Sequence, residues 1–218
     1  MRSRGETNFV KFPRVAAALY DALSRTQSLQ RQAHEIAAFL VSQIDRGRVL
    51  DVGIGPGRLL VAIHQLNPAL QLYGLDISQS MIELARENLS DVLVDLRVGS
   101  IRGTDYESDF FDLVTCTGSF YLWDDPKGGL EEIHRILKPG RRAYLFETRR
   151  DHDRREFQQA LRANLRQEGP VMKLVGPLLL AKAFDMAYRT DEVKDILRHT
   201  SFSSAYQIED VTVAGLPV

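Results

Sequence analysis

A chain of 218 residues is long enough for one domain with a full hydrophobic core and short for two. Its 44% hydrophobic and 26% charged residues are those of a globular protein, and 28 Lys plus Arg against 29 Asp plus Glu leave none of the basic surplus of a polyanion binder. A single cysteine, Cys116, excludes an internal disulfide framework and any multi-cysteine zinc or iron–sulfur site, so no metal is expected.

The opening residues, MRSRGETNFV, hold no apolar run of signal-peptide length, and no later run approaches the ~20 residues of a membrane span, which sets the expectation of a cytoplasmic protein. Phe12, Val15, Ala16, Leu19, Tyr20 and Leu23 recur at helical spacing, as do Ile36, Ala37, Phe39, Leu40 and Ile44, so residues 1–46 read as helical. From Arg48 onward, short apolar runs alternate with amphipathic stretches. The runs are Val49–Val52, Leu70–Leu75, Val92–Val98, Phe111–Cys116 and Ala143–Phe146; the stretches are Arg58–Gln65, Gln79–Leu89 and Leu130–Leu137. That alternation over 47–150 predicts right-handed βαβ crossovers and a parallel sheet. Val92–Val98 partly alternates, as an edge strand does.

Past Arg150, Asp153–Gln167 is predicted helical and Gly169-Pro170 ends it. Val171–Ala187 is apolar but carries Gly176-Pro177, which predicts two packed pieces within 151–189. In 190–218, a helix over Asp191–His199 with Thr190 as its N-cap precedes two closing strands, Tyr206–Ile208 and Val211–Ala214. No repeat or low-complexity linker interrupts the chain, so a single domain is expected.

The strongest local signal is Val49-Leu50-Asp51-Val52-Gly53-Ile54-Gly55-Pro56-Gly57-Arg58, a strand running through three glycines into a helix. Glycine permits a tight turn and the close approach of a ligand, and the helix N-terminus behind it favours an anionic group. The dinucleotide fingerprint G-x-G-x-x-G needs glycine where Arg58 stands, which counts against a nicotinamide-dependent oxidoreductase. The pattern here is G-x-G-x-G. Downstream, Leu72-Tyr73-Gly74-Leu75-Asp76 ends a strand in an acid, Met81–Arg86 follows as a helix, and Phe111-Asp112-Leu113-Val114 and Leu137-Lys138-Pro139-Gly140 come in order.

Together these motifs resemble the class I S-adenosylmethionine-dependent methyltransferases over about Val49–Phe146. The resemblance implies a Rossmann-like α/β sandwich, a seven-stranded, mostly parallel sheet with its last strand antiparallel and helices on both faces. It makes 1–46 a helical cap, 47–150 the cofactor-binding core, 151–189 a lid insertion and 190–218 the closing segment. It also implies S-adenosylmethionine as cofactor. Gly53, Gly55 and Gly57 then wrap the methionine moiety, and Asp51 orders that loop or meets its amine. Asp76 holds the ribose hydroxyls, a strand-end acid that can otherwise cap the next helix, a job open to Ser78 as well. Ile77 lies on the adenine face, and Met81 lines the adenine or fills the core. Ser100 and Ile101 take the adenine edge, with Ser100 replacing the acid of many members by a weaker neutral partner. Thr117 and Gly118 fall nearest the sulfonium, and Tyr20 is a candidate for the cofactor's carboxylate.

Methyl transfer needs alignment and exclusion of water, and a base only for some acceptors. Glu147, Asp124 and His152 are the candidate bases. Thr117–Trp123, with its aromatics, is expected beside a planar or apolar acceptor. Members of the family that methylate bases resemble one another in a Pro-Pro-aromatic motif after the fourth strand, and Thr117–Tyr121 has no proline, which counts against nucleic acid; the expected partner is a small molecule, with no nucleic acid and no membrane. Arg135 to Arg166 holds ten Arg or Lys against four acids, a solvated face or a steering patch for an anion. The rival reading is a non-catalytic module of the same fold that binds the cofactor or a protein partner.

Overall fold

The computed structural model describes residues 14–217; Phe12 lies outside the described residues, as do the side chains of Val15, Ala16 and Val171. Two helices come first, α1 (Arg14–Ser24) and α2 (Gln27–Gln43). Strands and helices then alternate: β1 (Gly47–Val52), α3 (Arg58–Leu66), β2 (Leu70–Asp76), α4 (Gln79–Asn88), β3 (Val94–Val98), β4 (Phe111–Thr117), α5 (Pro126–Ile136) and β5 (Leu137–Phe146). The five strands form one sheet in the order β3-β2-β1-β4-β5, and every neighbouring pair is parallel. β3 is an edge strand, as its half-alternating sequence predicts.

The two-residue period of a strand explains why helices cover both faces. Val49, Leu72 and Leu113 point to one side and pack with Ile36, Leu40, Leu60 and Ile63 of α2 and α3. Leu50, Val52, Leu75, Val114 and Cys116 point to the other and pack with Ile133 and Ile136 of α5. β1 and β4 are therefore apolar on both faces, and Cys116 is a buried strand residue. α5 starts four residues before the expected Leu130, because Asp125 caps it by accepting from the Gly128 amide and Pro126 takes its first turn.

The sheet has five strands rather than the expected seven. The C-terminal β6 (Thr212–Val213) and β7 (Leu216–Pro217) pair only with each other, antiparallel. Their turn has positive φ at both central residues, Ala214 (49°) and Gly215 (77°), the geometry of a tight hairpin. Tyr206–Ile208 is not a strand. The stretch from Ser203 to Thr212 is mostly exposed, so no buried face fixes it against the edge of β5.

After β5 come α6 (Arg154–Asn164), α7 (Pro170–Met186) and α8 (Thr190–Arg198). α7 is one helix and not two pieces, with Pro177 inside it. An interior proline costs a helix roughly 3 kcal/mol. Close packing offsets that cost: Gly176 is buried, and a Cβ there would lie 3.0 Å from Leu165 Cδ1. Thr190 does not cap α8. Arg189 occupies that position, its amide donating to Glu192 Oε2 at 2.8 Å, while the Thr190 hydroxyl donates to Asp151 at 2.7 Å. Phe157, Leu161, Leu165, Phe184 and Leu216 make a cluster of their own, so α6 and α7 pack beside the sheet domain around a separate core.

Candidate active site

The strand order reverses beside β1, with β2 and β3 on one side of it and β4 and β5 on the other. Loops leaving the carboxyl ends of β1 and β4 diverge there, which opens a crevice in sheets of this kind. A cavity of about 450 Å³ occupies that place. Its wall takes Gly53 and Gly55 from the loop after β1, Asp76, Ile77, Ser78 and Met81 from the end of β2 and the start of α4, and Ser100 to Arg102 from beyond β3. Thr117 to Ser119 and Tyr121 to Asp125, after β4, form the opposite side, and Tyr20 of α1 closes over the top.

The glycine loop is folded by short-range bonds. The Gly53 and Ile54 amides donate to Leu75 O at 2.7 and 3.2 Å, and the Gly55 amide donates to Asp76 Oδ2 at 2.9 Å. Gly55 has a φ of +52°, and a Cβ built on it meets nothing nearer than Tyr20 Cε1 at 3.6 Å, so it would project into open cavity. Gly57 is different. It lines neither this cavity nor the smaller one beside it, and a Cβ there would stand 2.9 Å from Leu89 Cδ1, so this glycine serves the packing of α3 on α4.

Asp76 is half-buried on the cavity wall. Its second oxygen accepts the Ser78 amide at 2.8 Å, and Ser78 in turn is the N-cap of α4, accepting from Met81 N. Burial pushes the Asp76 carboxyl above its usual range although both amides pull it down. Asp51 lies deeper, in a smaller adjoining cavity of about 100 Å³ shared with Tyr20, Gly53, Gly55 and Thr117. Its Oδ1 has no hydrogen-bond partner, nor has the buried Thr117 Oγ1. Burial, and then the neighbouring Asp76, push the Asp51 carboxyl up to about 8. The Tyr20 hydroxyl is raised too, by burial first and then by Asp76, Glu147 and Asp51.

The expected cofactor contacts Tyr20, Gly53, Gly55, Asp76, Ile77, Met81, Ser100, Ile101 and Thr117 all reach the larger cavity, and Asp51 reaches the smaller one. The three candidate bases scatter. Asp124 stands at the mouth, paired with Arg102 at 3.1 Å. Glu147 is half-buried behind the wall, its Oε1 accepting the amides of Ser119 and Phe120, each at 2.8 Å. His152 faces Arg149, away from the cavity, and burial and that cation lower its pKa. Among the described residues, none from 151–189 lines either cavity. The basic run is largely neutralised by ion pairs: Arg135 with Glu132, Lys138 and Arg141 with Asp112, Arg149 with Asp210, Arg150 with Glu192 and Arg154 with Asp185.

One contact was invisible to sequence reading. Arg58, the residue that breaks the dinucleotide fingerprint, pairs with Asp21 of α1 at 2.7 Å and donates to Ser24. Asp21 also accepts from Arg25 and Asn88, and Asn88 donates to Pro56 O at 2.8 Å. This network holds α1, and with it Tyr20, over the glycine loop. No local pattern couples residues 37 apart.

Comparison with known proteins identifies one segment of the chain. The model of the methyltransferase domain matches residues 50–145, the span that holds β1 to β5 and the cavity's acids. Residues 50–145 are a methyltransferase domain. The methyltransferase domain is similar to YdaC of Bacillus subtilis, an uncharacterized methyltransferase, at 32% identity over 111 residues, 50% of this chain and 61% of that one. It is also similar to the demethylmenaquinone methyltransferase of Deinococcus radiodurans, at 33% identity over 135 residues, 60% of this chain and 56% of the relative. The chain thus spans less than two thirds of the length of these relatives. A SAM-dependent methyltransferase from Aquifex aeolicus shares the fold with a TM-score of 0.66 at 19% identity, covering 94% of both chains.

S-adenosylmethionine is the cofactor of this family, and the cavity fits it on observations of its own. Its amine and sulfonium are cationic, and the two adjoining walls offer Asp51, with an unpartnered oxygen, and Asp76 against two cations, Arg102 and Arg58, already engaged by Asp124 and Asp21. The space in front of Gly55 is open to a ligand. Among the described residues no helix is long and apolar enough to cross a membrane.

Proposed function

We propose that the protein is an S-adenosylmethionine-dependent methyltransferase whose acceptor is a small molecule, and that it acts in the cytoplasm. The single observation that carries this reading is the placement of Asp76 and Asp51, two acids flanking the glycine loop, on adjoining cavities with an oxygen left for a ligand. Asp76 takes the ribose hydroxyls, because each of its oxygens is held by one amide and keeps a lone pair for the cavity. Asp51 and Thr117 take the amine end, with Tyr20 above it. Ile77 and Met81 bracket the adenine, and the Ser100 hydroxyl, Ile101 and neighbouring backbone meet its edge.

When bound, the cofactor supplies an electrophilic methyl group. The chain aligns the acceptor with it and keeps water away. Tyr121, Leu122 and Trp123 form the apolar wall beyond Thr117 and suit a planar acceptor, in keeping with the relative named for demethylmenaquinone. Of the three candidate bases, only Asp124 faces the cavity, and Arg102 already engages it at the mouth. The reading therefore favours acceptors that are nucleophilic without deep general-base assistance. In this scheme α1 and α2 cap the cofactor, and 151–189 is an outer insertion.

The test is a screen of planar aromatic small molecules with S-adenosylmethionine labelled on its methyl group. Transfer of label to one class and not to oligonucleotides is expected. Label transferred to nucleic acid alone would overturn the choice of acceptor.

A further inference from the structure

Glu147 is a buried carboxylate that takes no part in the scheme above. It follows β5 directly, and the turn it reaches follows the neighbouring strand β4. Gly118 N donates to Phe146 O at 2.9 Å, which brings the two strand ends together. Beyond Gly118, the Ser119 and Phe120 amides both donate to Glu147 Oε1, so one carboxylate oxygen caps the short 3-10 turn Phe120–Leu122. The Ser119 hydroxyl donates to Val52 O at 3.1 Å, and Ser119 presses on the glycine loop so closely that a Cβ on Gly53 would overlap it. Cys116 Sγ, 3.0 Å from Ser119 Oγ, completes the cluster.

We propose that Glu147 is a positioning residue: its carboxylate fixes the turn after β4 against the glycine loop, and so sets where Tyr121 and Trp123 stand in the cavity. Three facts point the same way. Glu147 itself lines neither of the two cavities, so it does not touch what binds there. Its Oε2 is buried without a hydrogen-bond partner, so the group carries an unsatisfied oxygen that an apolar side chain would avoid. Besides a 3.5 Å contact from the Cys116 thiol, the bonds it makes go to the backbone of the wall, at the Ser119 and Phe120 amides. A group costly to bury and bonded to a cavity-forming turn fixes geometry more than it adds stability. The word acceptor for that wall rests on the methyltransferase reading; the anchoring does not.

Trp123 is the sole tryptophan of the chain, and it lies at the end of the anchored turn, packed on Phe120. Its emission therefore reports the turn directly, in ligand-free protein. Glu147→Met fills the volume and removes the acceptor, whereas Glu147→Gln keeps an oxygen for both amides. With folding checked by thermal melts, Glu147→Met should shift Trp123 emission and weaken S-adenosylhomocysteine binding by about tenfold or more, and Glu147→Gln should stay within about threefold of wild type with unshifted emission. A folded Glu147→Met with wild-type emission and affinity would overturn the proposal. So would a Glu147→Gln that behaves like Glu147→Met, the result expected of a proton-accepting base. Should Glu147→Met not fold, Glu147→Gln alone decides by the same criteria. A wild type that fails to bind S-adenosylhomocysteine would sink the functional reading and leave the emission comparison intact.

Discussion

Asp76, at the end of β2, accepts the amide of Gly55, in the loop after β1, at 2.9 Å. The acid expected to recognise a ligand thus also holds the loop expected to wrap it. Ligand recognition and loop order are not separable at this position, and replacements of Asp76 will act on both.

Asp76→Ala removes two hydrogen bonds to backbone amides, at Gly55 and Ser78, that make it part of the fold. Hydrogen bonds to charged groups are worth about 1.5–3 kcal/mol each, reduced here because the carboxylate is half-buried and disfavoured by burial. The variant should melt lower than wild type and bind S-adenosylmethionine at least tenfold more weakly, at roughly 1.4 kcal/mol per decade. Asp76→Asn, which keeps one acceptor oxygen, should recover part of the melting temperature but not the affinity. Calorimetry and melts on both variants check this. An Asp76→Ala protein with unchanged affinity would remove the ribose assignment.

Gly55 and Gly57 should part company. Gly55→Ala places a methyl group in open cavity, with backbone strain of about 1 kcal/mol, so affinity should fall more than stability. Gly57→Ala drives a methyl group against Leu89 and Ala85, so stability should fall and the affinity of the folded fraction should hold. Melts with and without saturating S-adenosylhomocysteine separate the two; the reverse order would contradict the placement of both residues.

What the sequence reveals and what it conceals divide along range. The strands β1 to β4, the edge position of β3 and the glycine loop were legible because their signals are local: apolar period, glycine spacing and an acid at a strand end. The sheet's final width was not, because Tyr206–Ile208 has strand composition but no buried face to join. Pro177 suggested a break in α7 that the packing of Gly176 on Leu165 overrides. Asp51, Asp76 and Thr117 could be placed from motif order alone. The base candidates could not, since whether Glu147 points into a cavity or at the backbone behind it depends on the turn of a neighbouring strand.

The Asp21–Arg58 pair offers a charge-reversal test. Both side chains are mostly buried, at 9% and 22% exposed, so removing Asp21 strips Arg58 of its ion pair, while removing Arg58 leaves Asp21 only Arg25 and Asn88. Arg58→Glu should loosen α1 and weaken cofactor affinity, and the double variant Asp21→Arg, Arg58→Glu should regain part of it. Hydrogen exchange of the α1 amides reads the helix directly. Unchanged exchange in Arg58→Glu would show that the pair does not hold α1.

Stability should depend on pH through the buried acids. Asp51 titrates at about 8 in the folded chain against 3.8 ordinarily, and Glu147 at about 7 against 4.5. A folded pKa above the unfolded one gives a contribution present below the unfolded value and lost as pH rises through the folded one. His152, lowered by burial, works in the opposite sense around 6.5. Ligand-free protein should therefore lose stability from about pH 5 to about pH 8.5, and Asp51→Asn should lose less over the same range. Equal losses in the two proteins would contradict the assignment to Asp51.

The central claim is that the cavity between β1, β2 and β4 holds S-adenosylmethionine. A calorimetric titration of the wild-type chain with S-adenosylmethionine, S-adenosylhomocysteine and NAD measures that directly. One site per chain for the two sulfur compounds, and none for NAD, is the predicted result. Binding of NAD without binding of either sulfur compound would contradict the account.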